Sequence, residues 1–198
     1  TTCADGPCRV QVPCELRESG CSSYDSRRAA RLADTVTTNY AMWLTLSKYD
    51  GDEETLGRAG LLVCDESTNA HDWLAQSATV SVSGEELNDI GVEVPSLGDE
   101  LTAWAEWAGE LLPYARNVYA ERREVLGRTS RSRELVGLAD LGKRLRTIAD
   151  APRDTHTSWV VQPRTTKSGT SVELAPVWAG QFAEARLWRG VPRVLLTS

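Results

Sequence analysis

The sequence predicts an α/β fold that carries a helical insertion. Three observations point there. The short apolar run Leu61-Leu62-Val63-Cys64 ends abruptly in Asp65-Glu66, which reads as a buried strand delivering two carboxylates to its C-terminal edge. Arg193 to Ser198 again reads as a strand, introduced by Gly190-Val191-Pro192. Between them, over 99–150, apolar residues recur at threes and fours, the helical period. Open α/β sheets place ligands beyond the carboxyl ends of their strands. Asp65 and Glu66 are therefore the first candidate site. In a nucleotide site such an Asp holds Mg²⁺, directly or through water, and the neighbouring Glu orients or activates the attacking water. The plain alternative is a strand running into an acidic turn.

Length and composition set bounds. The 198 residues make one large domain or two small ones, and an apolar fraction of 41% is enough for a buried core. The net charge of −6 argues against a global attraction to nucleic acid. No apolar run is long enough for a membrane span and no signal-peptide pattern opens the chain, so a cytoplasmic location without membrane contact is expected. The five cysteines form an odd set for a disulfide framework.

Residues 1–24 carry Cys3, Cys8, Cys14 and Cys21 among Gly, Pro and polar residues. A loop with four thiols and little core-forming sequence needs a staple. Zinc sites usually show tighter C-x2-C pairs, and four thiolates also suit an iron–sulfur cluster. The spacing alone leaves zinc, a cluster and disulfides open. A helix is predicted from Ser26 to Leu32, a short strand over the β-branched run Asp34 to Tyr40, and an apolar helix from Ala41 to Leu46. Tyr40, Met42, Trp43 and Leu46 are expected to pack in the core. Asp50 to Glu54 reads as an acidic loop.

Beyond the Asp-Glu edge, Ser83 with Glu86 three residues on predicts a capping box, and Gly91, Pro95 and Gly98 mark a loop. Trp104, Trp107, Leu111, Ala115 and Val118 define one helical stripe, which Pro113 is expected to kink or split. Leu135, Leu138, Leu141, Leu145 and Ile148 define a second, so an antiparallel helix pair joined near Gly127 to Ser132 is predicted. From Arg116 to Arg146 there are nine Arg or Lys against four Asp or Glu. That local excess is either a solvated helix face or a phosphate-tracking surface, with Arg122, Arg123, Arg128, Arg131, Arg133 and Arg144 as candidate nucleic-acid contacts. Thr157 to Gln162 and Thr170 to Leu174 then predict a hairpin around Pro163 to Gly169, and Gln181 to Trp188 a helix.

Taken together, these segments resemble the first motor domain of XPD/DinG-type superfamily 2 DNA helicases. Motif II of that family reads apolar strand, Asp-Glu-Ala-His, Asn, then an amphipathic run. Asp65, Glu66 and Asn69 match it, with Leu61 to Cys64 before and Trp73-Leu74 after. Ser67-Thr68 replaces the Ala-His. The family His couples nucleotide state to DNA movement, and His71 is out of register for that role. Cys21-Ser-Ser-Tyr24 followed by Asp25 to Ala30 resembles the junction after the family's [4Fe–4S] domain, with Ser22 in place of the usual Pro. The resemblance implies cluster ligation by Cys8, Cys14 and Cys21, with Cys3 a ligand or a spare, and zinc as the alternative. Thr38-Asn39-Tyr40 resembles a segment ahead of motif II, the helical pair resembles the arch that helps enclose single-stranded DNA, and Thr197-Ser198 resembles the start of motif III.

The fold implied is part of a P-loop-type helicase motor domain with a cysteine-rich metal loop and a helical arch-like insertion. Its expected divisions are 1–24, the cluster-like segment; 25–84, motor with motif II; 85–155, the arch-like insertion; and 156–198, a return to the motor. No G-x-x-x-x-G-K-[ST] loop occurs in the sequence, and no second motor domain with its arginine finger. The expectation is thus a piece of an ATP-dependent helicase, cut at both ends, whose partners are Mg²⁺ and ATP, single-stranded DNA and the missing helicase parts. Arginine outnumbers lysine 19 to 3, which fits a GC-rich phage or actinobacterial genome. Two rivals are a non-catalytic nucleic-acid-binding module derived from such a helicase and a zinc-stapled interaction protein.

Overall fold

The computed structural model describes residues 19–49, 59–126, 132–166 and 169–198. Cys3, Cys8, Cys14, Arg128, Arg131, the Asp50 to Glu54 loop and the joint at 127–131 lie outside them. In chain order the elements are α1 (Ser22–Leu32), α2 (Tyr40–Tyr49), β1 (Leu62–Cys64), α3 (Ala70–Ala78), β2 (Val80–Ser83), α4 (Gly84–Asn88), α5 (Leu101–Leu126), α6 (Ser132–Asp150), β3 (Trp159–Thr166), β4 (Gly169–Pro176) and β5 (Val194–Leu196). Single turns of 3₁₀ and π-helix cover Ala179–Phe182 and Ala183–Trp188. Among the described residues no helix is long and apolar enough to cross a membrane. The chain divides into two compact units, one spanning Val80–Val177 and the other joining Leu16–Thr79 to Trp178–Ser198.

The first unit is two-layered. Strands β2, β4 and β3 form an antiparallel sheet in that order, with Val82 opposite Val172 and Val161 opposite Leu174. β3 lies at the edge, where Pro163 takes no ladder bond from a central position. Helices α5 and α6 are antiparallel: Arg122 meets Glu134 near the shared end, and Gly109 lies against Ala149 farther along. Their predicted stripes bury Trp104, Leu111, Leu141, Leu145 and Ile148 with Val82, Val172 and Leu174 of the sheet. The Trp104 indole N–H donates to the Gly98 carbonyl at 2.8 Å, so a large buried ring keeps its polar group satisfied. Trp107 meets it edge-on, centroids 5.4 Å apart. Pro113 does not split α5, which runs unbroken from Leu101 to Leu126. Both Pro113 and Gly109, whose carbonyl the missing amide leaves without a helical partner, are exposed to solvent.

The capping box forms at the start of α4. Ser83 Oγ accepts from the Glu86 amide at 3.3 Å, and Glu86 accepts from the Ser83 amide at 3.1 Å. Arg144 of α6 pairs with Glu86 and donates to the Ser81 carbonyl, so one guanidinium ties helix, cap and strand together. Gly84 is required there, because a Cβ would sit 2.7 Å from the Thr170 carbonyl oxygen.

In the second unit, β1 and β5 pair in parallel, Leu62 with Val194 and Cys64 with Leu196. Leu44, Ala70, Leu74 and Leu187 form its core, with Trp43 and Phe182 packed around them. The Trp43 indole donates to the Leu187 carbonyl at 2.8 Å, and Arg186 donates to the Ser77 carbonyl at 2.9 Å.

Four expectations change. α1 begins at Ser22, and Asp25 in its first turn and Arg31 in its last suit the helix dipole. Residues 34–39 form no strand, because β-propensity is realised only against a partner and none of the described residues supplies one. Met42 is exposed rather than core, as is Val63 of β1. The helical segment expected over 85–155 is part of a larger unit with its own sheet, since two amphipathic helices need a layer to cover them.

The fold makes a prediction for Glu86. Burial raises its pKa, but the hydrogen bond and charge of Arg144 and the Ser83 bonds outweigh that and hold it below its ordinary value of 4.5. A depressed carboxylate stabilises the fold above its unfolded pKa, and that stability is lost as pH falls through the folded value. Acid unfolding followed by circular dichroism should therefore flatten below about pH 4.5 in Glu86→Gln relative to the unaltered protein. Ser83→Ala should cost about 1 kcal/mol in urea unfolding.

Candidate functional site

The site lies at the C-terminal ends of the two parallel strands. β1 stops at Cys64 and releases Asp65-Glu66, and β5 stops at Leu196 and releases Thr197-Ser198 at the same edge. The ladder continues one step: the Thr197 amide donates to the Cys64 carbonyl and the Ser67 amide to the Thr197 carbonyl, each at 2.9 Å. These bonds fix Thr197 against Asp65, whose Oδ1 accepts from Thr197 Oγ1 at 2.9 Å and from the Glu66 amide at 3.0 Å. Asp65 is exposed, and its Oδ2 has no hydrogen bond or ion pair among the described residues.

Glu66 adopts left-handed backbone, φ 48° and ψ 44°, at a residue that is not glycine. Such a conformation is costly for an L side chain and persists where the surroundings impose it. Here the bonds on either side, to Asp65 Oδ1 and from Ser67 to Thr197, impose it. The turn leaves the Glu66 carboxylate exposed and without an ion pair among the described residues.

Tyr40 closes the site from below. Asn39 Oδ1 accepts from the Met42 amide at 2.8 Å, capping α2 and fixing where Tyr40 begins it. The Tyr40 hydroxyl then donates to the Asp65 carbonyl at 2.8 Å. Burial first, then the Cys64 thiol, Asp65 and Glu66, push the Tyr40 phenol up to about 12. Burial also raises the Cys64 thiol, partly offset by its hydrogen bond with Tyr40.

The arrangement offers one Asp65 carboxylate oxygen without a partner among the described residues, the Glu66 carboxylate beside it, and the Thr197 and Tyr40 hydroxyls, at one strand edge. Mg²⁺ is typically held by one or two carboxylates plus waters and phosphate oxygens, so this donor set fits it. No group of three His, Cys, Asp or Glu side chains with metal-binding geometry occurs among the described residues. His71 bonds the Thr68 carbonyl and pairs with Asp72, both contacts in the open. Of the four thiols expected at a metal centre, the described residues include Cys21, half-buried immediately before α1.

The candidate nucleic-acid arginines separate into two kinds. Arg122 pairs with Glu134 at 2.6 Å and donates to the Asp89 carbonyl, while Arg144 is held by Glu86. Arg123 and Arg133 are exposed and form no ion pair among the described residues. The bonds of Tyr40 and Thr197 to Asp65 are not readable from the sequence, which brings those residues together only by the order of segments. No protein-family model matches the chain, and no curated protein matches it.

The site predicts an alkaline titration. A phenol whose neutral form the fold favours contributes stability that is complete below about pH 10 and is lost as pH rises toward 12. Tyr40 should ionise near pH 12 by ultraviolet difference spectra, and Tyr40→Phe should remove that step. A spectrum unchanged by the substitution would contradict the assignment.

Proposed function

We propose that this chain is a piece of the first motor domain of an XPD/DinG-like, ATP-dependent DNA helicase, one that couples ATP hydrolysis to movement on single-stranded DNA in the cytoplasm. The observation that supports it most is the strand edge. The two segments that resemble motif II and the start of motif III lie 132 residues apart in sequence, yet Thr197 and Asp65 share a hydrogen bond beyond two parallel strands. That is the edge at which open α/β sheets bind ligands. On this reading Asp65 holds Mg²⁺ on ATP, Glu66 orients the attacking water, and Thr197 senses the same carboxylate from the neighbouring strand. The amino-terminal cysteines hold a [4Fe–4S] cluster, with zinc the alternative.

The Ser67-Thr68 substitution favours a second reading, a nucleic-acid-binding module that keeps the helical pair without motor chemistry. Nucleotide affinity separates the two. A fluorescent ATP analogue should bind weakly in Mg²⁺ and about tenfold more weakly to Asp65→Asn, since a carboxylate is a main charged ligand of such a site. Equal affinity in both proteins would leave the module reading.

Turnover is another matter. Phosphoryl transfer depends on a phosphate loop, its Lys, Mg²⁺ and an arginine finger acting together, and loss of the finger alone typically costs about 10³–10⁵ in rate. The 198-residue chain carries only the Mg²⁺ and water-orienting end, so an ATPase assay with and without single-stranded DNA should show no hydrolysis above background. DNA-stimulated hydrolysis abolished by Asp65→Asn would refute this account of the missing parts.

The metal assignment has its own measurement. Anaerobically purified protein should be brown and contain iron, the property of a thiolate-ligated cluster. Colourless protein with stoichiometric zinc would replace the cluster by a zinc staple.

A further inference from the structure

We propose that α1 of one chain docks in the cleft beside α4 of a second copy, an electrostatic contact through which the protein self-associates. Helix α1 is short of packing. None of its 11 residues is buried, and Cys21 before it makes no side-chain cap bond. Isolated helices shorter than about 12–15 residues are marginal in water, so such a helix gains from a surface to lie on. Arg27, Arg28 and Arg31 are spaced at threes and fours, which places them on one face. All three are exposed and form no ion pair or side-chain hydrogen bond among the described residues. Asp25, in the first turn, is the one acid of the helix. Leu32 at its end is 82% exposed.

The Val80–Val177 unit carries the complement. No Lys or Arg occurs between Arg58 and Arg116, so the acids of that stretch find bases only from elsewhere. A cleft of about 770 Å³ opens beside α4, lined by Glu85 and Asp89, by Arg122 of α5, and by Arg133, Glu134 and Gly137 of α6. Arg122 is held by Glu134 and the Asp89 carbonyl, and Glu86 by Arg144. Glu85 and Asp89, against Arg133, are the charges left without a partner among the described residues. The two carboxylates stand four residues apart on one helical face, where like charges repel, and a cation from outside relieves them. Arg27 and Arg31 repeat the same four-residue spacing, about 6 Å along a helix axis. Their guanidinium forks match carboxylates in geometry as well as in sign. A Cβ at Gly137 would meet nothing within 4 Å, so an incoming helix can approach α6 closely. A small, charged contact of this kind is weak and reversible. It uses neither the Asp65–Thr197 edge nor a nucleotide, so it stands apart from the motor reading.

The test is sedimentation velocity of the full chain over a range of concentration, with reductant present so that thiol cross-links do not count. The average mass should rise with concentration at about 0.1 M salt, where charges act over about 10 Å, and the rise should vanish at about 1 M, where they act over about 3 Å. Arg27→Glu with Arg31→Glu should weaken association by about tenfold or more, and Glu85→Lys with Asp89→Lys should do the same, because each sets like charges face to face. An equal mixture of the two variants should regain it, since each reversed face then meets a face of opposite sign. That recovery also shows that both variants fold. Arg123→Glu with Arg146→Glu, an equal change of charge away from α1 and the cleft, should leave association intact. The proposal is overturned by a chain that stays monomeric at every concentration, by association that either reversal leaves unchanged, by a mixture that does not recover, or by equal weakening in the Arg123 and Arg146 control.

Discussion

Parallel strands cannot be joined by a tight turn, and β1 and β5 are parallel. Their pairing is the constraint on which the rest of the arrangement depends. It obliges the chain to travel a long way before it can return, and the return carries the whole Val80–Val177 unit within it. The pairing also does the local work at the site. Each strand contributes only three residues, so the ladder is short, and its extension by Thr197 and Ser67 beyond the strand ends matters in proportion. Asp65 is held by the bonds that complete the ladder, and Glu66 takes left-handed backbone because the bonds on both sides leave it nowhere else to go.

Parts of this were legible in the sequence, for identifiable reasons. The stripes of α5 and α6 were readable because burial repeats at the helical period, and Leu138, Leu141, Leu145 and Ile148 are all buried. The capping box was readable because Ser83 and Glu86 are close in sequence, where chemistry and spacing suffice. Asp65-Glu66 at a strand end was readable from an abrupt change from apolar to acidic. What depended on distant partners was not. Residues 34–39 have strand composition without a strand neighbour among the described residues. The unit boundary falls at Val80 and Val177 because β2 pairs with β4, more than eighty residues on, a pairing that nothing near Val80 announces.

Charge shows the same limit most sharply. An excess of Arg and Lys over 116–146 is visible in the sequence, but a basic residue is available to a ligand only if no carboxylate has claimed it. Arg144 sits near its acidic partner only after α6 has packed on the sheet, and its reach to Glu86 and the Ser81 carbonyl makes it a structural strut. Arg122 joins α5 to α6 and to the turn at Asp89 in the same way. The local surplus of positive charge therefore overstates what the surface offers.

One feature of the sheet bears on how such a chain can change over generations. Val80 enters the antiparallel sheet opposite Leu174, and the chain leaves it three residues later at Val177. Entry and exit of the unit are thus neighbours on adjacent strands. A segment whose two ends lie side by side is a cassette: it can be lengthened, replaced or excised down to a short connection without pulling apart the strands that flank it. Recombination could exchange the helical pair while leaving the Asp65–Thr197 edge in register.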